Sequence, residues 1–171
     1  MEAILMKELR SFIELLVRES EALSELVRLE DKKYDALKQV EVQNLMRINA
    51  SEEEILHKLG SIERKRKNIL IALSESFHFD QNISLSELLN FLPEKECLDI
   101  KSELSELKVK IKNLTDKLQV TMHENSEMIK SNLEIINLTL NFANKSDQKE
   151  TYDYRNKKEK RDNIHLVNQI A

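Results

Sequence analysis

Apolar residues recur at alternating spacings of three and four along most of the chain, with charged residues between them. This spacing places the apolar residues on one side of an α-helix, so it predicts helices with one apolar stripe each. Two such segments predict helices over about residues 2–37 and 41–74. The first stripe is Leu5, Leu9, Phe12, Leu16, Leu23, Leu26 and Leu37, and the second is Leu45, Ile48, Ile55, Leu59, Ile62, Ile69 and Leu73.

A turn near residue 39 is predicted to join these two helices into an antiparallel hairpin. One unbroken helix through both segments would be about 110 Å long and would leave its stripe unburied. A turn at this point would place Glu19 beside Gly60, and Leu23 beside Ile55 and Leu56. Gly60 is then expected either to ease close packing or to mark a local kink.

The periodicity is lost after residue 74, and a short helix is predicted near 85–91. Ser84 and Glu87 have the spacing of a capping box, in which each side chain bonds the backbone N–H of the other residue. Pro93 is expected in the first turn of the next helix, where a missing N–H is harmless. That third long helix is predicted over about 94–144, since it carries a sustained heptad pattern.

The last third of this helix is apolar on more than one face. One interpretation is core packing against the hairpin, or homodimerisation; the other is a surface that accepts an amphipathic helix from a partner. Polar residues within the stripes also allow two interpretations. Asn125 either sets the register of the helix or acts as a binding group. Glu19, Glu52 and Arg66 either form a buried functional network or cover the seam with their stems while their heads reach water.

Composition supports an all-α fold. The 171 residues include one glycine and one proline, whereas folds rich in strands need many tight turns. We therefore predict a single elongated helical bundle domain over 1–145 and a flexible, charged tail over 146–171. Tyr152 and Tyr154 stand out in this tail, either as isolated exposed aromatics or as a short docking motif.

Several classes of function are disfavoured. A net charge of −4, mixed in sign along the chain, gives no basic face for nucleic acid. The chain has no apolar run that predicts membrane insertion and no signal-peptide layout, and its single cysteine, Cys97, fits a reducing cytoplasm. The four histidines are dispersed, so we expect no metal site, and no motif predicts a cofactor or an enzyme.

Four segments together resemble the FlgN family of flagellar type III export chaperones. They occur in the same order and at similar spacing as in that family. They are residues 15–19 with 35–37; residues 45–48 with Leu56 and 62–70; residues 124–129 with Ile136, Leu140 and Phe142; and residues 151–153. The resemblance covers roughly residues 5–154.

The resemblance implies a cytoplasmic chaperone that is a monomer or weak dimer. Its clients, the exported proteins that it binds, would be hook-associated proteins resembling FlgK and FlgL, held by their C-terminal segments. It would deliver them to an export gate protein resembling FlhA. On this basis we expect Tyr152 to dock to the gate, with Tyr154 as a second contact. The expected client face is Ile129, Leu133, Ile136 and Leu140. The alternative function is a homo-oligomeric coiled-coil scaffold or adaptor.

Overall fold

The computed structural model has four helices in its described backbone, so the prediction of an all-α fold is confirmed. They are α1 (Glu2–Gln39), α2 (Val42–Phe77), α3 (Leu85–Phe91) and α4 (Leu98–Val167). The backbone is described for residues 2–77, 79–80, 83–93 and 97–167, and the side chains for 5–75, 79–80, 83–93 and 97–143. The chain divides into two units, Met1–Ser126 and Glu127–Ala171, which are described separately below.

The first unit contains the predicted hairpin, whose turn lies at Val40 and Glu41. The Val40 N–H donates to the Leu37 carbonyl at 3.2 Å, and the Glu41 N–H donates to the Ala36 carbonyl at 2.9 Å. These two bonds are the Schellman motif, which satisfies carbonyls at the end of a helix. The motif requires one residue in the left-handed backbone conformation, and Val40 adopts that conformation with φ 56°. Because valine is β-branched, this position is strained.

The register of the hairpin differs from the prediction. Glu19 pairs with Arg66 on α2, six residues beyond the expected Gly60. The turn lies slightly later than predicted, and helical side chains lean toward the N-terminus of their own helix. In an antiparallel pair, the α2 partner of Glu19 therefore lies further from the turn. A Cβ added at Gly60 would meet nothing within 4 Å, so this glycine does not serve close packing.

The core of the first unit consists of two apolar clusters. The first joins the N-terminal half of α1 to the start of α4, to α3 and to the end of α2. Its buried members are Leu9, Phe12, Ile13, Leu16, Leu73, Leu88, Leu92, Cys97, Ile100, Leu104 and Leu107. The second joins the C-terminal half of α1 to α2, with Leu118 of α4 packed against it. Its buried members are Leu26, Leu29, Ala36, Ile48 and Ile55. Leu23, the expected neighbour of Ile55, belongs to neither cluster.

Helix α4 runs parallel to α1 in this unit. Near their N-termini Arg10 forms an ion pair with Glu103, and further along Asp31 forms one with Lys117. Both pairs are exposed at the rim, where such contacts contribute little to stability. The direction of α4 is thus set by the apolar clusters, which place the beginning of α4 against the beginning of α1.

The capping box at Ser84 is confirmed. The Ser84 N–H donates to the Glu87 carboxylate at 2.8 Å, and the Glu87 N–H donates to Ser84 Oγ at 3.2 Å. Hydrogen bonding of the exposed Glu87 carboxyl to the side chain and the backbone N–H of Ser84 lowers its pKa. The prediction for Pro93 is wrong, because α4 begins five residues later at Leu98. Leu92, which ends α3, is extended, as expected for a residue before proline.

The backbone of α4 is helical to Val167, beyond the predicted end near residue 144. Its last part has no glycine or proline and many residues that favour helix, such as Lys, Glu and Gln. The predicted boundary at residue 145 and the flexibility of the tail stay predictions.

In the described part of the chain, no helical segment combines the length and apolar character that crossing a bilayer requires.

We predict that Val40→Gly stabilises the protein by about 1 kcal/mol, because glycine adopts the left-handed conformation without the steric penalty of a β-branched residue. Urea unfolding followed by circular dichroism measures the change. Val42→Gly is the matched control. It removes the same side chain two residues later, at the first residue of α2, where φ is negative and glycine relieves no strain, so it should not raise the free energy of unfolding. A Val40→Gly protein no more stable than wild type would show that the turn relaxes around valine.

Candidate partner-binding surface

The burial of α4 ends at Asn125. Between Leu98 and Asn125 the helix contributes buried or half-buried residues at helical spacing, and the last two that are fully buried are Thr121 and Asn125. None of residues 126–143, the remainder of α4 whose side chains are described, is buried. Asn125 thus marks the transition from a packed helix to an uncovered one.

Asn125 is held by two hydrogen bonds to α1. Its Nδ2 donates to the Glu30 carbonyl at 2.9 Å and to Glu30 Oε2 at 2.6 Å. The side chain is 2% exposed, so it is enclosed by the bundle and not presented to a partner. Of the two interpretations of Asn125, this placement supports the one in which it sets the register of the helix.

The same Glu30 carboxylate belongs to a network that spans three helices. Lys33 Nζ lies 3.4 Å from Glu30 Oε1 and also donates to Glu52 Oε2 on α2. We call Glu30, Lys33, Glu52 and Asn125 the polar clasp. It holds two carboxylates, one ammonium group and the neutral amide of Asn125, and all four side chains are less than 15% exposed. When both carboxylates are ionised, the clasp therefore carries a net charge of one negative unit in a region with little access to water.

Within the clasp, the carboxyl of Glu52 has a raised pKa. Burial raises the pKa of its carboxyl, and the neighbouring Glu30 carboxylate acts in the same direction, whereas the hydrogen bond from Lys33 opposes the shift. Glu52 Oε1 and Asn125 Oδ1 are buried acceptors without a hydrogen-bond partner among the described residues. A proton on Glu52 would relieve the charge imbalance, so the clasp is more stable in acid than at neutral pH.

A second polar pair lies between the two apolar clusters. Arg66 donates to Glu19 Oε2 at 2.8 Å, and both side chains are mostly buried. Burial raises the pKa of Glu19, and the Arg66 guanidinium opposes the shift. Of the two interpretations of Glu19, Glu52 and Arg66, the structure does not support the one in which all three heads reach water. They are paired across the hairpin, and Glu52 has a partner, Lys33, that helical spacing alone did not indicate.

Beyond Asn125, the second unit exposes the four residues predicted as a client face. Their exposed fractions are 41% for Ile129, 54% for Leu133, 46% for Ile136 and 55% for Leu140. Spacings of four, three and four residues place them in one stripe along the helix. Four neighbouring aliphatic side chains in water are unfavourable unless a partner covers them. Their role in binding stays a prediction.

Three further exposed apolar residues were not included in that face. Ile135, Leu138 and Phe142 are 61%, 58% and 71% exposed, and they occupy other positions around α4. The signal for them was present in the sequence, since this end of the helix is apolar on more than one side. The predicted client face followed a single heptad stripe and therefore did not include these three residues.

Tyr152 and Tyr154, the predicted gate-docking residues, lie in the helical backbone of α4. Their side chains lie outside the described residues, so the structure does not show what they contact.

Cys97 is buried in the first cluster and behaves as a small apolar residue there. Among the side chains that the structure describes, no group of three or more His, Cys, Asp or Glu could hold a metal ion.

An all-α chain with an uncovered apolar helix face is typical of proteins that bind other proteins through helices. The family model described as FlgN protein matches residues 6–160, which is most of the chain. The protein therefore belongs to the FlgN family, a family of flagellar export chaperones and not of enzymes. No curated protein and no solved structure matches the chain.

We predict that the clasp stabilises the protein more as the pH falls. A carboxyl whose pKa is higher in the folded chain binds its proton more tightly when folded. Its contribution to stability is therefore fully present below the unfolded pKa and is lost as the pH rises through the folded pKa. The free energy of unfolding of wild type, relative to that of Glu52→Gln, should increase as the pH falls from neutral through the raised pKa of Glu52 to about pH 4.

Urea unfolding of both proteins at each pH measures this difference, and the effect of Glu19 cancels because both proteins contain it. Glu53→Gln, at the neighbouring exposed position, controls for the loss of one carboxylate. A difference between wild type and Glu52→Gln that stays constant with pH would show that Glu52 is not strained by burial.

Proposed function

We propose that this protein binds the C-terminal segments of hook-associated proteins of the FlgK and FlgL type in the cytoplasm. It prevents their premature assembly or aggregation and delivers them to an export gate protein of the FlhA type. Membership of the FlgN family supports the general role. The observation that carries the finer proposal is the uncovered apolar stripe that follows Asn125 on α4.

The stripe of Ile129, Leu133, Ile136 and Leu140 suits an amphipathic client helix. The four residues span about three turns, or roughly 17 Å, which a short helical segment can match. Each side chain is about half exposed, so covering it contributes on the order of 1 kcal/mol. A client segment that is unfolded before binding must be ordered, which consumes a few kcal/mol and keeps the complex releasable.

Delivery to the gate is assigned to Tyr152, with Tyr154 as a second contact. The assignment rests on family membership and on the separation of these residues from the client stripe by at least twelve positions along α4. A separate contact allows the chaperone to hold its client while it docks. Tyrosine suits this role because it offers a large contact area with few rotatable bonds.

A homo-oligomeric scaffold is the second candidate, since an uncovered apolar stripe also favours self-association. Sedimentation of the pure protein distinguishes the two. A chaperone of this kind should be a monomer or a weak dimer. A tight dimer in which Ile129 to Leu140 form the interface would favour the scaffold.

We predict that Ile136→Asp weakens binding to a FlgK-type protein about 100-fold or more. The change removes apolar contact at the middle of the stripe and places a charge in the interface. Isothermal titration calorimetry with the purified client measures the affinity, and circular dichroism shows whether helicity is kept. Asn137→Asp introduces the same side chain at the next position, outside the stripe, and should bind nearly as wild type does. Equal affinities for the two variants would mean that the client binds elsewhere.

Tyr152→Ala should leave client affinity unchanged and weaken capture by the cytoplasmic part of the FlhA-type gate protein. The expected loss is about tenfold or more, as for an aromatic residue at the centre of a contact. A pull-down with client-loaded chaperone measures capture, and Lys149→Ala serves as a control in the same stretch. If client binding falls as much as gate capture, residues near Tyr152 belong to the client site.

A further inference from the structure

The exposed end of α4 carries two apolar stripes and not one. The first stripe is the proposed client face. The second consists of Ile135, Leu138 and Phe142, which are at least as exposed as any member of the first. At about 100° per residue, the centre of the second stripe lies roughly 160° around the helix from the centre of the first.

One side of the helix between the two stripes is polar. Lys130, Glu134, Asn137 and Asn141 lie on that side, and the Lys130 ammonium group is paired with Glu127 there at 2.6 Å. The other side is mixed, with Asn132 and Thr139 beside Met128 and Ala143. The stripe centres nevertheless lie on nearly opposite sides of the helix.

A single partner helix cannot cover both stripes. Packed helices touch along a band about 100° wide, whereas the stripe centres are nearly opposite each other. Covering both requires two packing segments that lie on opposite sides of α4. The segments can belong to one partner chain or to two different chains.

The size of the second stripe decides between these options. Its three side chains expose on the order of 350 Å² together. Pairing of this stripe with the same stripe of a second copy would bury roughly 700 Å², below the 1,200 Å² or so of a stable interface. The first stripe exposes a similar area, so neither stripe is large enough to hold a partner alone. One partner that covers both stripes would bury roughly 1,400 Å² in total, which is within the range of stable interfaces, and its second contact would be intramolecular.

We propose that one client chain encloses this part of α4 with two apolar segments, one on each stripe. This inference rests on the proposed function, since it concerns the same client. It specifies that the client presents two helical segments joined by a connection long enough to pass around α4. Ile135, Leu138 and Phe142 then become client contacts equal in kind to the first four.

The test compares Phe142→Glu with Asn141→Glu in the full-length chain. Both introduce a glutamate at adjacent exposed positions, but only the first lies in the second stripe. Calorimetric titration with the purified FlgK-type protein should show about tenfold or greater weakening for Phe142→Glu and a near wild-type affinity for Asn141→Glu. The complex should stay one to one. Leu138→Glu with Asn137→Glu repeats the comparison one turn earlier, and circular dichroism checks that all four variants fold.

A second measurement uses two client fragments, each with one amphipathic helix of the C-terminal region. Each fragment should respond to either Ile136→Asp or Phe142→Glu, but not to both. A fragment that responds to both would overturn the proposal of two segments.

Other results would overturn the proposal in different ways. If Ile136→Asp weakens binding and Phe142→Glu does not, the client uses one stripe only and the proposed function stands. If the pure protein forms a dimer that Phe142→Glu dissociates, a second copy covers the stripe. If wild type binds neither the FlgK-type nor the FlgL-type protein, the proposed function fails and this inference fails with it.

Discussion

The side-chain amide of Asn125 constrains the rest of this structure. It is enclosed between helices, and its donors reach both the backbone and the carboxylate of Glu30. A buried amide without partners costs roughly 1–3 kcal/mol, so sliding α4 by a turn along α1 is unfavourable. Apolar heptads alone would tolerate such a slide, because one leucine contact resembles the next. The register of α4, and hence the last residue that the bundle buries, follows from this one polar group.

The polar clasp favours one register of the three helices, at a cost in the stability of the bundle. Two carboxylates around one ammonium group are less favourable than an apolar seam of the same volume would be. For a chaperone, that composition has a use. The exposed end of α4 is as apolar as the buried part, and an all-apolar seam could draw Ile129 and its neighbours into the bundle. Such a shift would break the hydrogen bonds between Asn125 and Glu30, so the proposed client face stays uncovered.

Much of the fold could be predicted from the sequence because its determinants are local. The capping box at Ser84 depends on a few adjacent residues and is found where expected. The hairpin turn, predicted near residue 39, lies only slightly later, at Val40 and Glu41. Predictions that involved distant residues were less successful. The hairpin partner of Glu19 was misplaced by six residues, and Lys33 was not foreseen as the partner of Glu52. Side chains of this length reach across several residues, so spacing along one helix does not specify which opposite residue they meet.

The sequence by itself determined the helical class, the apolar stripes and the membership of the FlgN family. These features follow from periodicity and composition, which are properties of each segment alone. It also contained both stripes at the end of α4. Only the tertiary structure decided where burial on α4 stops, since that depends on Glu30, which lies 95 positions away along the chain. It also decided that Asn125 is enclosed while Ile129 to Phe142 are uncovered. Heptad positions before and after Asn125 look alike in sequence, and only the presence or absence of a packed neighbour distinguishes core from surface.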